Sequence, residues 1–173
     1  MKLAIYPGTF DPLTLGHVDL IERSASIFDA VVVAIAVDTP KQTLFSVEER
    51  VGMGKEVVAE LSLSNVEVCS FKGLLIDYAR QRGVGLLVRG LRAYSDFEYE
   101  FQLALTNRKM APDVETLFMM PKEVHSYVTS SMVREIARLG GDPAEFVPGP
   151  VLRALRRRFK QIGPSARGKH HAR

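Results

Sequence analysis

The run Ala30-Val31-Val32-Val33-Ala34-Ile35-Ala36-Val37 constrains this chain more than any other stretch. It holds no polar residue and no alternation, so a strand here must be covered on both faces, the condition of a central strand in a parallel sheet. Parallel neighbours need long crossovers, usually helical. The flanking sequence supplies them. Strand-like runs are read at Leu3 to Ile5, Ala30 to Val37, Val66 to Ser70, Gly83 to Val88 and Glu115 to Met120. Between them, Val18, Ile21, Ala25 and Phe28 recur at helical spacing. Ser46-Val47-Glu48-Glu49 reads as a capping box opening a helix to about Leu61, and Leu74 to Arg82 reads as helical. Ser95-Asp96-Phe97-Glu98 reads as a second capping box, opening a helix to about Met110 whose Phe97, Phe101, Ala104 and Leu105 are expected to face the core. Ser130-Ser131 starts a helix that Gly140-Gly141 stops, and a last helix covers about Val151 to Gln161. This alternation predicts an α/β fold: a single-domain, doubly wound, parallel five-stranded sheet.

Charge divides the chain unequally. All 20 acidic residues precede residue 146, against 15 Lys and Arg there, while residues 146–173 hold eight Lys and Arg and no acid. The basic balance therefore belongs to the end of the chain. The expected organisation is a domain over 1–161 and a basic, disordered tail over 162–173, since Gly163-Pro164-Ser165 opens a stretch poor in apolar residues. The tail lacks interleaved aromatics for base stacking, so no nucleic-acid partner is expected from it. No apolar run reaches the roughly 20 residues of a membrane span. Cys69 is the single cysteine, and no secretory signal is read at the N-terminus. The expectation is a cytoplasmic protein with no membrane partner.

In doubly wound sheets, ligands sit beyond the carboxyl ends of the strands. After the first strand comes Tyr6-Pro7-Gly8-Thr9-Phe10-Asp11-Pro12-Leu13-Thr14-Leu15-Gly16-His17. Gly8 and Gly16 are expected to give the backbone unusual conformations and close approach to a ligand, and Pro7 and Pro12 to stiffen the turn. Thr9, Thr14 and His17 are thereby delivered to a helix N-terminus, where free N–H groups and the dipole favour an anion. Lys41 follows the second strand, Arg89 and Arg92 the fourth, and Ser126 to Ser131 the fifth. Such convergence of phosphate-suited groups points to a nucleotide or phosphate site. Arg89 and Arg92 read as phosphate ligands rather than as ion-pair partners of Glu98 or Glu100, and Cys69, inside a strand, reads as core rather than nucleophile.

The same residues resemble a known family. Thr14-Leu15-Gly16-His17 resembles the T/H-x-G-H signature of the nucleotidyltransferase superfamily, and Thr129-Ser130-Ser131-Met132-Val133-Arg134 resembles its second signature, I-S-S-x-x-x-R/K. Ala4 to Pro12, Phe45 to Arg50, and Arg89-Gly90-Leu91-Arg92 with Asp96 to Glu100 look like the bacterial phosphopantetheine adenylyltransferases, and the resemblance runs from Lys2 to about Leu155. It implies a Rossmann-like nucleotidyltransferase fold. The implied reaction joins ATP to 4′-phosphopantetheine, giving dephospho-coenzyme A and pyrophosphate, the penultimate step of coenzyme A synthesis. Magnesium (Mg2+) would be carried by ATP, with no metal ligand from protein side chains. Carried over by motif, Thr9, Phe10, His17, Gly90, Leu91, Arg92, Glu100, His125, Ser126, Tyr127, Val128, Thr129, Ser130 and Ser131 would contact ATP. Thr9, Lys41, Leu75 and Arg89 would contact phosphopantetheine. His125, Leu75 and Thr129 stand where Trp, Met and Ser are frequent in the family. A homohexamer, and coenzyme A as a feedback ligand at the same site, are implied as well.

That chemistry suits the residues. The nucleophile is the acceptor's own phosphate, already anionic, so no general base is needed. Positioning and charge neutralisation carry the reaction. His17 is expected to stabilise the transition state, assisted by Thr9, Lys41 and Arg92. Three other readings stay open on sequence alone. Adenylyl or cytidylyl transfer to nicotinate mononucleotide or glycerol phosphate would use the same two signatures, and the Arg89 to Glu100 block argues against it. A non-catalytic nucleotide sensor would bind ATP and release no pyrophosphate, whereas a tail-driven nucleic-acid binder would show steep salt dependence.

Overall fold

The computed structural model describes residues 2–39, 42–92 and 94–159, with residues 94–96 described for their backbone alone; Lys41 and the 162–173 tail lie outside the described residues. The elements are β1 (Leu3–Gly8), α1 (Leu15–Ile27), β2 (Ala30–Ala36), α2 (Val47–Glu60), β3 (Val66–Phe71), α3 (Leu75–Gln81), β4 (Leu86–Gly90), α4 (Tyr94–Met110), β5 (Glu115–Met119), α5 (Ser130–Arg138) and α6 (Gly149–Arg158). A 3₁₀ turn, Glu123–His125, interrupts the loop after β5. The strands form one parallel sheet in the order β3-β2-β1-β4-β5. β1 lies at its centre, with Ile5 opposite Val32 on one side and Leu87 on the other.

β2 behaves as its composition demands. Val31, Val33 and Ile35 enter one apolar cluster with Leu20, Ile21, Met53, Val133 and Leu155, from α1, α2, α5 and α6. Val32 and Ala34 enter the opposite cluster with Ile76, Ala79, Ala111 and Val114, which α3 and the turn after α4 provide. Both faces are therefore covered, and the doubly wound reading holds.

Local signals set most boundaries. Ser46 caps α2 through the backbone N–H of Glu49, and the Glu49 carboxylate accepts from the Ser46 N–H at 2.8 Å. β4 begins at Leu86 rather than Gly83, because Gly83 (φ 66°) turns the chain out of α3. α4 begins at Tyr94, so Ser95 lies inside the helix and does not cap it. α6 starts at Gly149, with Pro150 in its first turn, where a missing N–H costs nothing.

One expectation fails outright. Phe97, Phe101 and Leu105 of α4 are 46%, 44% and 49% exposed, and so not core. Their helical spacing is real, and Phe97 and Phe101 stack at 5.5 Å, but among the described residues no element buries the stripe. Periodicity shows that a helix has an apolar face; it does not say which molecule covers it.

Leu87 is fully buried in β4 at the heart of the second cluster. Leu87→Ala should cost about 2–5 kcal/mol by urea unfolding, the range for a buried leucine whose site cannot collapse. A loss under about 1 kcal/mol would mean that this layer is loosely packed.

Candidate active site

The strand order reverses at β1, since the crossovers lead first towards β3 and then back to β4. The crevice beyond the carboxyl ends of β1 and β4 is thus the topological switch point. A cavity of about 350 Å³ opens there. Thr9, Phe10, His17, Arg89, Gly90, Arg92, Glu100, Thr129, Ser130 and Ser131 line it as the sequence foresaw, and Asp11, Thr14 and Arg134 join them.

The turn after β1 departs from expectation in its use of glycine. Neither Gly8 nor Gly16 adopts a positive φ; Phe10 does, at 48°. Gly8 serves by lacking a side chain, because a Cβ there would lie 2.7 Å from Cζ of Phe10. The Phe10 ring occupies that space and packs edge-on against Tyr6 at 5.3 Å and His17 at 5.2 Å. Gly16 leaves room for the His125 carbonyl, which would stand 3.3 Å from an added Cβ.

Thr14 is the N-cap of α1 and His17 its third residue. The Thr14 N–H donates to Nδ1 of His17 at 3.0 Å, and the Thr14 hydroxyl lies 2.9 Å from the same nitrogen. A backbone amide can only donate, so Nδ1 carries a lone pair and the proton of the neutral ring sits on Nε2. Burial pushes the imidazole down to about 4, and the positive charges of Arg92 and Arg89 push the same way. His17 is therefore a neutral hydrogen-bond donor at physiological pH.

At the end of β4, Arg89 grips Glu100 with Nε at 2.7 Å and Nη2 at 2.6 Å, and its Nη1 donates to the Pro7 carbonyl at 3.1 Å. The ion-pair reading that the strand-end position disfavoured is thus the observed one. Arg89 still lines the cavity. Burial opposes its charge, but the Glu100 carboxylate outweighs this and the guanidinium is held above its ordinary value. Arg92 reaches the Val128 carbonyl at 3.5 Å.

The N-terminus of α5 closes the cavity. Thr129 caps it through the Met132 N–H at 3.0 Å, and the Ser130 hydroxyl donates to the Pro12 carbonyl at 2.8 Å. Arg134 donates to the carbonyl and, at 3.2 Å, the carboxylate of Asp11, and to Ser131 Oγ at 3.2 Å. Asp11 also accepts from the Leu44 and Phe45 amides at 2.8 and 2.9 Å. Two helix N-termini and three arginines therefore face one cavity, and its two carboxylates are both engaged by arginine. The place can hold a polyanion.

The remaining predicted residues lie elsewhere. Leu75 lines an adjoining cavity of about 260 Å³ with Ala36, Asp38, Phe71 and Asn107, and Arg89 and Glu100 form the shared wall. His125, Ser126, Tyr127 and Val128 sit on the loop before α5, outside the lining of the larger cavity; Val128 is buried and Tyr127 is exposed, edge-on to Phe146. Leu91 continues the sheet, its N–H donating to Met119 at 2.9 Å. Arg134 stands in the second signature but was given no ligand, and its spacing was the signal, since it lies one helical turn beyond Ser130 and Ser131 on the same face. Asp11 had none beyond its place in the loop.

The cytidylyltransferase-like family matches residues 5–136, which agrees with the fold and with a phosphate-binding crevice at its switch point. The solved structure of nicotinic acid mononucleotide adenylyltransferase from Plasmodium falciparum, complexed with NaAD, superposes with a TM-score of 0.68 over 93% of this chain and 97% of that one, at 13% identity. That likeness concerns the fold alone. Two relatives named phosphopantetheine adenylyltransferase are far closer in sequence. The protein from Desulforudis audaxviator is 51% identical over 163 residues, 94% of this chain and 99% of its own. The one from Thioalkalivibrio sulfidiphilus is 53% identical over 157 residues, 91% and 98% respectively. This chain belongs to the phosphopantetheine adenylyltransferase family of cytidylyltransferase-like nucleotidyltransferases.

The locked histidine has a direct spectroscopic consequence. Nitrogen NMR of the imidazole should show the Nε2–H tautomer at neutral pH, titrating near 4. Because the folded value lies below the unfolded one, the unfolded chain binds more protons between about 6.5 and 4, so stability should fall as pH drops through that window. A His17 resonance titrating near 6.5 would contradict the assignment.

Proposed function

We propose that this chain transfers the adenylyl group of ATP to 4′-phosphopantetheine, giving dephospho-coenzyme A and pyrophosphate. The reading is carried by one observation: a neutral imidazole donor lines a cavity to which two helix N-termini also contribute, and this cavity shares an Arg89–Glu100 wall with a second one. The larger cavity is read as the triphosphate site and the smaller one as the site of the acceptor's neutral arm, with the acceptor's phosphate proposed at Arg89, which lines both.

An acceptor phosphate oxygen attacks the α-phosphorus; one P–O bond forms, and the bond to the leaving pyrophosphate breaks. No proton must be removed first. His17 Nε2–H donates to a non-bridging oxygen whose negative charge grows in the five-coordinate state. Arg92 and the α5 N-terminus neutralise the triphosphate. Lys41, which lies outside the described residues, is proposed as a second cation on the acceptor phosphate. ATP enters as its magnesium complex. The cavity's carboxylates, Asp11 and Glu100, are occupied by arginines, so triphosphate oxygens and water would hold the ion.

The exposed stripe of Phe97, Phe101 and Leu105 supports self-association, and a homohexamer is proposed on the family resemblance. Among the described residues no helix is long and apolar enough to cross a membrane, and a cytoplasmic site of action is proposed. Coenzyme A shares the pantetheine arm and should compete at the acceptor site as a feedback ligand.

Pyrophosphate release should be seen with phosphopantetheine and not with nicotinate mononucleotide or glycerol phosphate, in a panel of acceptors at equal concentration. Release with one of the other acceptors alone would move the enzyme to a sister activity, and ATP binding without release would make it a sensor. His17→Ala should lower kcat by about 100- to 1,000-fold, as loss of one transition-state donor does, with ATP affinity by calorimetry changed little. The same variant gives up the partner of the Thr14 N–H and should lose about 1 kcal/mol of stability. Preserved kcat with lost ATP affinity would make His17 a ground-state ligand.

A further inference from the structure

Arg50 sits in the first turn of α2 and is 2% exposed, although its head is a guanidinium. Its hydrogen bonds among the described residues all go to backbone carbonyls. Nη1 donates to Thr9 at 2.7 Å and to Ala36 at 3.0 Å, and Nε to Phe45 and Ser46, each at 3.3 Å. Burying a cation against neutral acceptors is costly. Burial pulls the group below its ordinary value, opposed by the charges of Asp11 and Glu48. An apolar side chain would fill the same space but leave those carbonyls without their donor. What arginine adds is a rigid fork joining the exits of β1 and β2 to the start of α2.

The bond to Thr9 fixes a peptide plane. In a trans peptide the carbonyl and the next N–H point opposite ways. With the Thr9 carbonyl turned onto Arg50, the Phe10 N–H faces away from Arg50; Thr9 and Phe10 both line the larger cavity, and Arg50 does not. Phe10 is held at φ 48°, a region that side-chain-bearing residues avoid. Flipping this plane would return Phe10 to a negative φ and present a carbonyl, not a donor, to the phosphates. The fork opposes that flip. Its other arm holds Ala36, which lines the smaller cavity.

We propose that Arg50 is a positioning residue for adenylyl transfer: it keeps the Phe10 amide directed at the nucleotide phosphates and holds the two cavities in one frame. The proposal rests on the adenylyltransferase reading, and its test separates the two. Pyrophosphate release by the unaltered protein reports on that reading. Arg50 is then examined by amide NMR with the magnesium complex of α,β-methylene-ATP, and by kinetics of Arg50→Lys and Arg50→Met. The Phe10 amide proton of the unaltered protein should move downfield on binding the analogue, as a donor to an anion does, and this shift should be lost in Arg50→Lys. Lysine should recover most of the melting temperature that methionine loses, yet leave kcat lower by about 10- to 100-fold, the cost of a misplacement near 1 Å, with both KM values changed far less. If Arg50→Lys, assayed well below its melting temperature, keeps wild-type kcat, Arg50 is a structural residue only and the proposal falls. Should neither variant fold, an unmoved Phe10 amide in the unaltered protein overturns it by itself.

Discussion

The buried carboxylate of Asp11 ties together segments that the sequence keeps far apart. Its two oxygens accept from the amides at Leu44 and Phe45, where the chain enters α2, and from Arg134 on α5. A carboxylate at 3% exposure must be satisfied on both oxygens or be driven neutral. Here the satisfaction is structural: the loop after β1, the start of α2 and the N-terminus of α5 meet on one side chain. The cavity depends on this knot, since Thr9 and Phe10 precede it in sequence, His17 follows it, and Ser130 and Ser131 are brought to it from the far end of the chain.

The electrostatics around that knot are balanced rather than maximised. Arg89 and Arg134 each face the cavity while paired with a carboxylate, Glu100 and Asp11. A half-neutralised guanidinium attracts phosphate less strongly than a bare one. It thereby avoids deepening the ground state, where binding lowers KM without raising kcat. His17 contributes no net charge at all. What it can offer is a directional donor, Nε2–H, held by the bond from the Thr14 amide to Nδ1.

Much of this was legible in the sequence. The uninterrupted apolar run of β2 announced a sheet covered on both faces, and the alternation of elements set its parallel topology. Strand ends then named Thr9, His17, Arg89, Arg92 and the serines that open α5, because topology alone gathers strand ends. Other features had no local signature. Arg89 meets Glu100 across a strand-to-helix connection, and Asp11 meets Arg134 across 123 positions, so neither pairing has a periodicity to betray it. Gly8 was read as a flexible residue, whereas its function is the volume it leaves for Phe10. The stripe on α4 has the spacing of a core helix, and only coordinates reveal that it is left exposed by the described residues.

The strand order β3-β2-β1-β4-β5 also fixes when the crevice can exist. As the chain emerges from the ribosome, β1, β2 and β3 can pair with one another first, because they come first and are neighbours in the sheet. Throughout that interval one side of β1 is an open edge, its amides and carbonyls unpaired until residues 86–90 appear, and open apolar edges invite pairing with other chains. The nascent protein must therefore carry its central strand for a time as an open edge. The strand that finally covers it bears Arg89, so shielding of the edge also brings the first arginine to the cavity, ahead of the residues of α5.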